Sequence, residues 1–199
     1  MKPLTAKDVE RILGANDGMK RILTAGGAAL FSAWTALAGW TVGRSLDEMT
    51  DETVLTLSVQ GRRLDRSQVI LGYQPTLCVV LRGDGSRPFE TFRATPVLSI
   101  AWAKFAALDR APVTVRFGKG APSTYSCALT DERRAAVFPA SVWQEMRTND
   151  TLLVRFTRVR ETVDDVRFDL RGLPAAVEEA RSLLGGSADR PKPSPKGVR

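Results

Sequence analysis

The sequence predicts a mainly β protein: an antiparallel β-sandwich or curved β-sheet domain with a C-terminal helix, preceded by an N-terminal hydrophobic helix. Three observations predict it. From Thr53 onward, short alternating or wholly apolar runs are separated by Gly, Pro, Asp and Ser, the pattern of antiparallel strands and turns. Around Pro174, which sits in the first turn of a helix, the period changes, and Leu173, Val177, Ala180 and Leu184 fall on one helical face before Gly185-Gly186. Near the front, residues 22–43 run for 22 positions without a charged side chain.

Residues 1–21 read as a cytoplasmic or leader segment. TAKDVERIL has Thr5 and Asp8 at a helix start and Val9, Ile12 and Leu13 at helical spacing, and Asn16-Asp17-Gly18 then breaks it. The uncharged run that follows would measure about 33 Å as a helix, enough for the roughly 30 Å hydrocarbon core of a bilayer. Lys20-Arg21 precede it, while Asp47, Glu48, Asp51 and Glu52 follow Arg44, a bias that leaves the N-terminus in the cytoplasm and sends the rest across. Two readings stay open. As a retained anchor in the inner membrane, the run offers Gly39 and Gly43 as a G-x-x-x-G packing face. As a signal peptide starting at Met19, it offers Ala36-Leu37-Ala38 as an A-x-A cleavage site. Both deliver the chain to the periplasm.

Residues 44–52 form a linker, and residues 53–186 the exported domain. Its strands are expected at 53–60, 76–81, 90–94, 97–102, 113–117, 124–129, 134–138, 152–159 and 165–172. Alternation is clearest in the last, where Val166, Phe168 and Leu170 share one face and Arg167, Asp169 and Arg171 the other. Gly83-Asp84-Gly85 is expected to supply left-handed turn conformations. Residues 141–147 make a short helix, with Ser141 as its cap and Val142, Trp143 and Met146 at contact spacing. The tail, residues 187–199, is polar, basic and proline-rich, a composition that stays disordered.

Composition narrows the function. The net charge of +7 sits largely at the ends: residues 1–21 carry 5 basic and 3 acidic groups and residues 187–199 carry 4 and 1, leaving 20 and 18 between them. A net +2 over the middle is a poor footprint for phosphate backbones, so nucleic acid is disfavoured as a partner. With 0 histidines there is no Ser-His or Cys-His pair and no His-containing metal site, and 2 cysteines cannot complete a four-cysteine one. No cofactor is expected. In an oxidising compartment Cys78 and Cys127 are a candidate disulfide, with two buried free thiols as the alternative.

Candidate chemistry is sparse. Gly118-Lys119-Gly120 lacks the spacing of a phosphate loop and reads as a turn. Asp131-Glu132 and Asp164-Asp165 are adjacent carboxylates in expected turns, the only material for a periplasmic hydrolase. Trp102 and Trp143 are candidate interface aromatics, or a platform for a cell-wall-binding module, although core packing accounts for both. Arg155 and Arg167 are candidate interface cations in an arginine-rich set whose interleaved acids suggest cross-strand pairs.

The ordered series QPTLCVVLR, VLSIAWAKFAALDRAPVTVRF, TDERRAAVF, TNDTLLVRFT and VRFDLRGLPAAVEEAR resembles the VasI/TagO family of exported proteins associated with bacterial type VI secretion, over residues 51–184. Gly83 and Leu184 stand where that pattern places cysteines, so no family disulfide carries over. The resemblance implies a non-catalytic accessory or adaptor protein of the cell envelope, whose partner is another envelope or secretion-system protein. The oligomeric state is left open by the sequence.

Overall fold

The computed structural model describes residues 35–37, 39–47, 49–64, 74–100, 103–130, 132–159 and 162–185. Eleven strands form one antiparallel sheet: β1 (Thr35–Leu37), β2 (Trp40–Asp47), β3 (Glu52–Gln60), β4 (Arg62–Arg63), β5 (Thr76–Gly83), β6 (Arg93–Ser99), β7 (Arg110–Phe117), β8 (Ser123–Leu129), β9 (Ala135–Val137), β10 (Thr151–Arg158) and β11 (Thr162–Asp169). Helix α1 (Ser141–Thr148) lies between β9 and β10, and α2 (Leu173–Gly185) follows β11. In space the strands run β1-β2-β3-β5-β6-β9-β8-β7-β10-β11-β4.

The sheet curls on itself, and one residue shows how. Only Gly61 separates β3, which pairs with β5, from β4, which pairs with β11 near the far end of the strand order. A side chain there would collide with Val166 and Phe168 of β11, so the bend needs a residue without a Cβ. The curl has an inside, filled by every second residue of each strand: Leu55 and Leu57, Leu77 and Val79, Val113 and Val115, Leu152, Val154 and Phe156, Val166 and Phe168 are all buried there. Of the two expected forms of β domain, the curved sheet is the one adopted.

Both helices cover this core. Leu173, Ala176, Val177 and Ala180 of α2 are buried at the spacing of one helical face, and the helix lies against β2 and β3. Nη1 of Arg44 on β2 donates to the Leu183 carbonyl oxygen at 2.5 Å, fixing the end of the helix. In α1, Val142, Trp143 and Met146 face inward; the N-cap is Ala140, and the expected Ser141 cap makes no such bond.

Residues 22–43 are not one continuous helix. Thr35–Leu37 and Trp40–Asp47 form a hairpin at the sheet edge, so the domain begins well before residue 53. Trp40 and Val42 are fully buried, and the Trp40 indole N–H donates to the Asp169 carbonyl oxygen at 3.2 Å. An aromatic with one polar atom and a vacant place in a curled core is held more strongly there than by helix propensity. Gly39 and Gly43 consequently do not form a helix-packing face: Gly39 is the turn, at φ 87°, and Gly43 is paired with Thr56 inside the β2–β3 ladder. The expectations for residues 1–34 and 187–199 lie outside the described residues, and among the described residues no helix is long and apolar enough to cross a membrane.

Other boundaries shift for local reasons. The strand expected at 90–94 begins instead as a single turn, Phe89–Thr91, and then runs without a break through Pro96 to Ser99. Pro96 is tolerated because its nitrogen faces the end of the short β9 ladder; on that same side its carbonyl oxygen accepts from Phe138 N at 3.0 Å. Neither Gly83 nor Gly85 is left-handed. Gly83 is instead required by the ring of Phe92, 2.7 Å from where a Cβ would stand, and Gly85 by the Thr53 side chain.

The cysteines are not bonded to each other. Cys78 lies on the outer face of β5, in a small cluster with Val54, Val80, Val97 and Ala135, whereas Cys127 on β8 points into the main core. The sheet itself stands between them. Burial pushes both thiols up to about 12.

Candidate functional site

Alternation that sends Val115, Leu152, Val154 and Val166 inward sends Thr114, Arg116, Leu153, Arg155 and Asp165 outward, from three neighbouring strands, β7, β10 and β11. With Leu64 just after β4 and Pro122 just before β8, they line an open groove of about 370 Å³ on the outer wall of the sheet. Leu64 is 51% exposed, so the groove presents apolar surface to solvent.

Two registers of that wall have different electrostatics. In the first, Arg155 faces Asp165 directly across the β10–β11 ladder and donates from Nε to Oδ1 and from Nη2 to Oδ2, each at 2.7 Å. This bidentate pair lowers the Asp165 pKa below the ordinary carboxylate value, chiefly through the hydrogen bonds from Arg155. A carboxylate so held is charged at neutral pH and is a weak base. In the same register Thr114 and Thr124 share a hydroxyl hydrogen bond at 2.9 Å.

The second register holds cations without an acidic partner among the described residues. Arg116 of β7 is paired with Leu153 of β10, Leu153 with Arg167 of β11, and Arg167 with Arg62 of β4. Cross-strand partners point to the same face, so three exposed arginines lie in one row with a half-buried leucine among them. None of the three makes an ion pair with a described residue. Asp169 is close enough for Arg167 to help lower its pKa, but its carboxylate is held by Arg171. Arg62 opposite Arg167 is a like-charge cross-strand pair, an arrangement that disfavours the sheet.

Of the residues singled out from sequence, Arg155 and Arg167 meet on this wall. Trp143 does not: it is 8% exposed, packed in the core, with the Arg147 guanidinium 5.8 Å from its ring centroid, and is no interface anchor or sugar platform. Trp102 and Asp131 lie outside the described residues. Glu132 is exposed and paired with Arg134 at 2.8 Å. Asp164, adjacent to Asp165 in sequence, points the opposite way and is buried between Arg158 and Arg63, the latter at 2.7 Å. Strand alternation therefore separates Asp164 from Asp165, so these two are not a working carboxylate pair; the expected pairing of Glu132 with Asp131 lies partly outside the described residues. Among the described residues, no group of three His, Cys, Asp or Glu side chains is placed to hold a metal ion.

Arg62, Arg116 and Leu64 escaped the sequence reading. Each sits in an ordinary setting, GRR, VTVRFGKG and RRLD, and only the pairing of β7, β10, β11 and β4 makes them neighbours. No protein-family model, curated protein or solved structure matches this chain.

Proposed function

We propose that the chain is a non-catalytic adaptor of the bacterial cell envelope, docking on another envelope or secretion-system protein as its resemblance to the VasI/TagO family implies. The observation that carries this reading is the outer-wall groove. Its one carboxylate, Asp165, is locked in an ion pair and stays charged, while the apolar surface and unpartnered arginines beside it are suited to holding a partner rather than moving a proton. A hydrolase would need an acid–base pair, and Asp164 and Asp165 face opposite sides of the sheet.

The hairpin bears on how the chain reaches the periplasm. With 35–37 and 40–47 in strands, 13 uncharged residues, 22–34, remain ahead of the sheet, about 20 Å as a helix against a bilayer core of roughly 30 Å. Cleavage after Ala38 would leave Gly39 and Trp40 at the start of the mature chain with β2 whole. We therefore favour the signal peptide over the retained anchor.

Fractionation of cells carrying a C-terminally tagged full chain, followed by N-terminal sequencing and cross-linked capture from intact cells, tests the reading. A periplasmic product beginning at or near Gly39, joined to one envelope protein, is the expected result. A chain confined to the cytosol would overturn it.

A further inference from the structure

The row Arg116–Leu153–Arg167–Arg62 spans four neighbouring strands, about 14 Å at the roughly 4.8 Å spacing of a sheet. We propose that this row is a docking surface for an extended acidic segment of a partner protein, lying across the strands with an apolar side chain seated against Leu153, Leu64 and Pro122. The inference rests on the adaptor reading and adds to it the chemistry of the partner.

Charge complementarity selects the occupant. Most arginines elsewhere on the described surface are occupied within their own neighbourhood: Arg155 by Asp165, Arg171 by Asp169, Arg181 by Glu178 and Glu90, Arg134 by Glu132, Arg93 by Glu52, while Arg110 bonds to Ser126 and Arg147 lies over the Trp143 ring. Among the described residues the row alone sets two arginines directly opposite each other with no acid paired to them, a local destabilisation that a bound anion would relieve. An extended peptide carries alternate side chains on one face at about 6.8 Å intervals, so two or three carboxylates spread over the row in the way the guanidiniums do. A single phosphate headgroup needs donors converging on one point, which a linear row does not provide. Single-stranded nucleic acid has a repeat of comparable length but binds through aromatic stacking, and the groove lining holds no aromatic residue. The exposed Leu64, with Leu153 and Pro122, makes the floor apolar, which suits an acidic segment with hydrophobic residues interspersed.

The test uses the full chain and a nine-residue peptide of alternating Glu and Ser with one central Leu, against the same peptide with Gln for Glu. Two double variants are compared: Arg116→Ser with Arg167→Ser in the row, and Arg87→Ser with Arg147→Ser as a charge-matched control away from it. Both are checked for unchanged melting. The expected result is binding of the Glu peptide that weakens with salt, at least about tenfold loss with the Gln peptide or the row variant, and no change in the control. Equal affinity of the row variant and the control for the Glu peptide would overturn the proposal. So would tighter binding, lost in the row variant, to phosphatidylglycerol vesicles or an oligothymidylate, or self-association lost in that variant, since each assigns the row to another occupant. An envelope partner captured equally by wild type and row variant leaves the adaptor role standing and removes the row from it. Peptide binding by a chain found in the cytosol does the reverse.

Discussion

A Cβ placed on Gly61 would stand 2.6 Å from Cε1 and 2.8 Å from Cζ of Phe168, nearer than nonbonded carbons approach. Phe168 is fully buried on β11 and Gly61 is the bend between β3 and β4, so this contact is where a segment that begins in one ladder ends in another. Gly61→Ala forces either the ring or the backbone to move in a filled core, and overpacking of this kind costs about 1–3 kcal/mol. The expected outcome is a lower Tm with the native circular dichroism spectrum kept. A variant as stable as the wild type would mean the sheet does not close through Gly61.

Neighbouring aspartates should behave oppositely. Asp164 is 1% exposed and receives hydrogen bonds from Arg158 and Arg63, joining β10, β11 and β4. Asp164→Ala removes the buried carboxylate that both guanidiniums bond to and is expected to destabilise by about 3–5 kcal/mol. Asp165 is one residue away with its pair on the wet side of the sheet, and Asp165→Ala is expected to leave Tm nearly unchanged. The sign with pH follows from the lowered Asp165 pKa. What stability this pair gives is present above the ordinary carboxylate value and is lost as pH falls through the lower folded-state value. Chemical denaturation of the two variants, run side by side between pH 3 and pH 7, measures both statements.

Thiol chemistry distinguishes sheet topology from sequence expectation. Cys78 and Cys127 are expected to stay unbonded after isolation from an oxidising compartment, unreactive toward a thiol reagent in the native state and both reactive in denaturant. Their folded-state values, about 12 against an ordinary 9.0, are raised. A raised value stabilises the fold fully below the unfolded value, and that stability is lost as pH climbs toward the folded one, so the alkaline melting curve should decline from about pH 9 upward. The variant Cys78→Ser with Cys127→Ser would flatten that decline. A mass spectrum of native protein showing a Cys78–Cys127 bond would refute the arrangement.

Period-2 alternation made most of the β domain legible. Val166 and Phe168 inward with Arg167 and Asp169 outward is correct, and so is the α2 stripe through Leu173, Val177 and Ala180. Pairing order was not legible, because nothing local says that β4 crosses to β11 or that Arg62, Arg116 and Arg167 share a row. The same limit hid the fate of Trp40. An apolar run on its own does not distinguish lipid from protein core, and the decisive fact is a place beside Asp169, 129 residues away. Ambiguous residues such as Trp143 and Cys78 were settled by burial, which depends on what the rest of the chain brings to them.

Truncation tests where the folded domain begins. Deleting residues 1–38 removes β1, three residues at the sheet edge, and leaves β2 intact. Deleting residues 1–47 removes Trp40 and Val42 from the core, uncovers the ladder edge of β3 along eight residues and takes away the Arg44 bond to the end of α2. Losing a fully buried aromatic alone costs about 3–5 kcal/mol, a large share of the roughly 5–15 kcal/mol by which a domain is stable. The shorter deletion is therefore expected to melt cooperatively within a few degrees of the full chain. The longer one is expected to lose its sharp transition and bind a hydrophobic dye. Trp40→Ala in the shorter form should fall between them, because it empties one place in the core while keeping the β2–β3 ladder. If the longer deletion melted as the shorter does, β2 would be an appendage and the domain would begin, as its strand pattern first suggested, near Thr53.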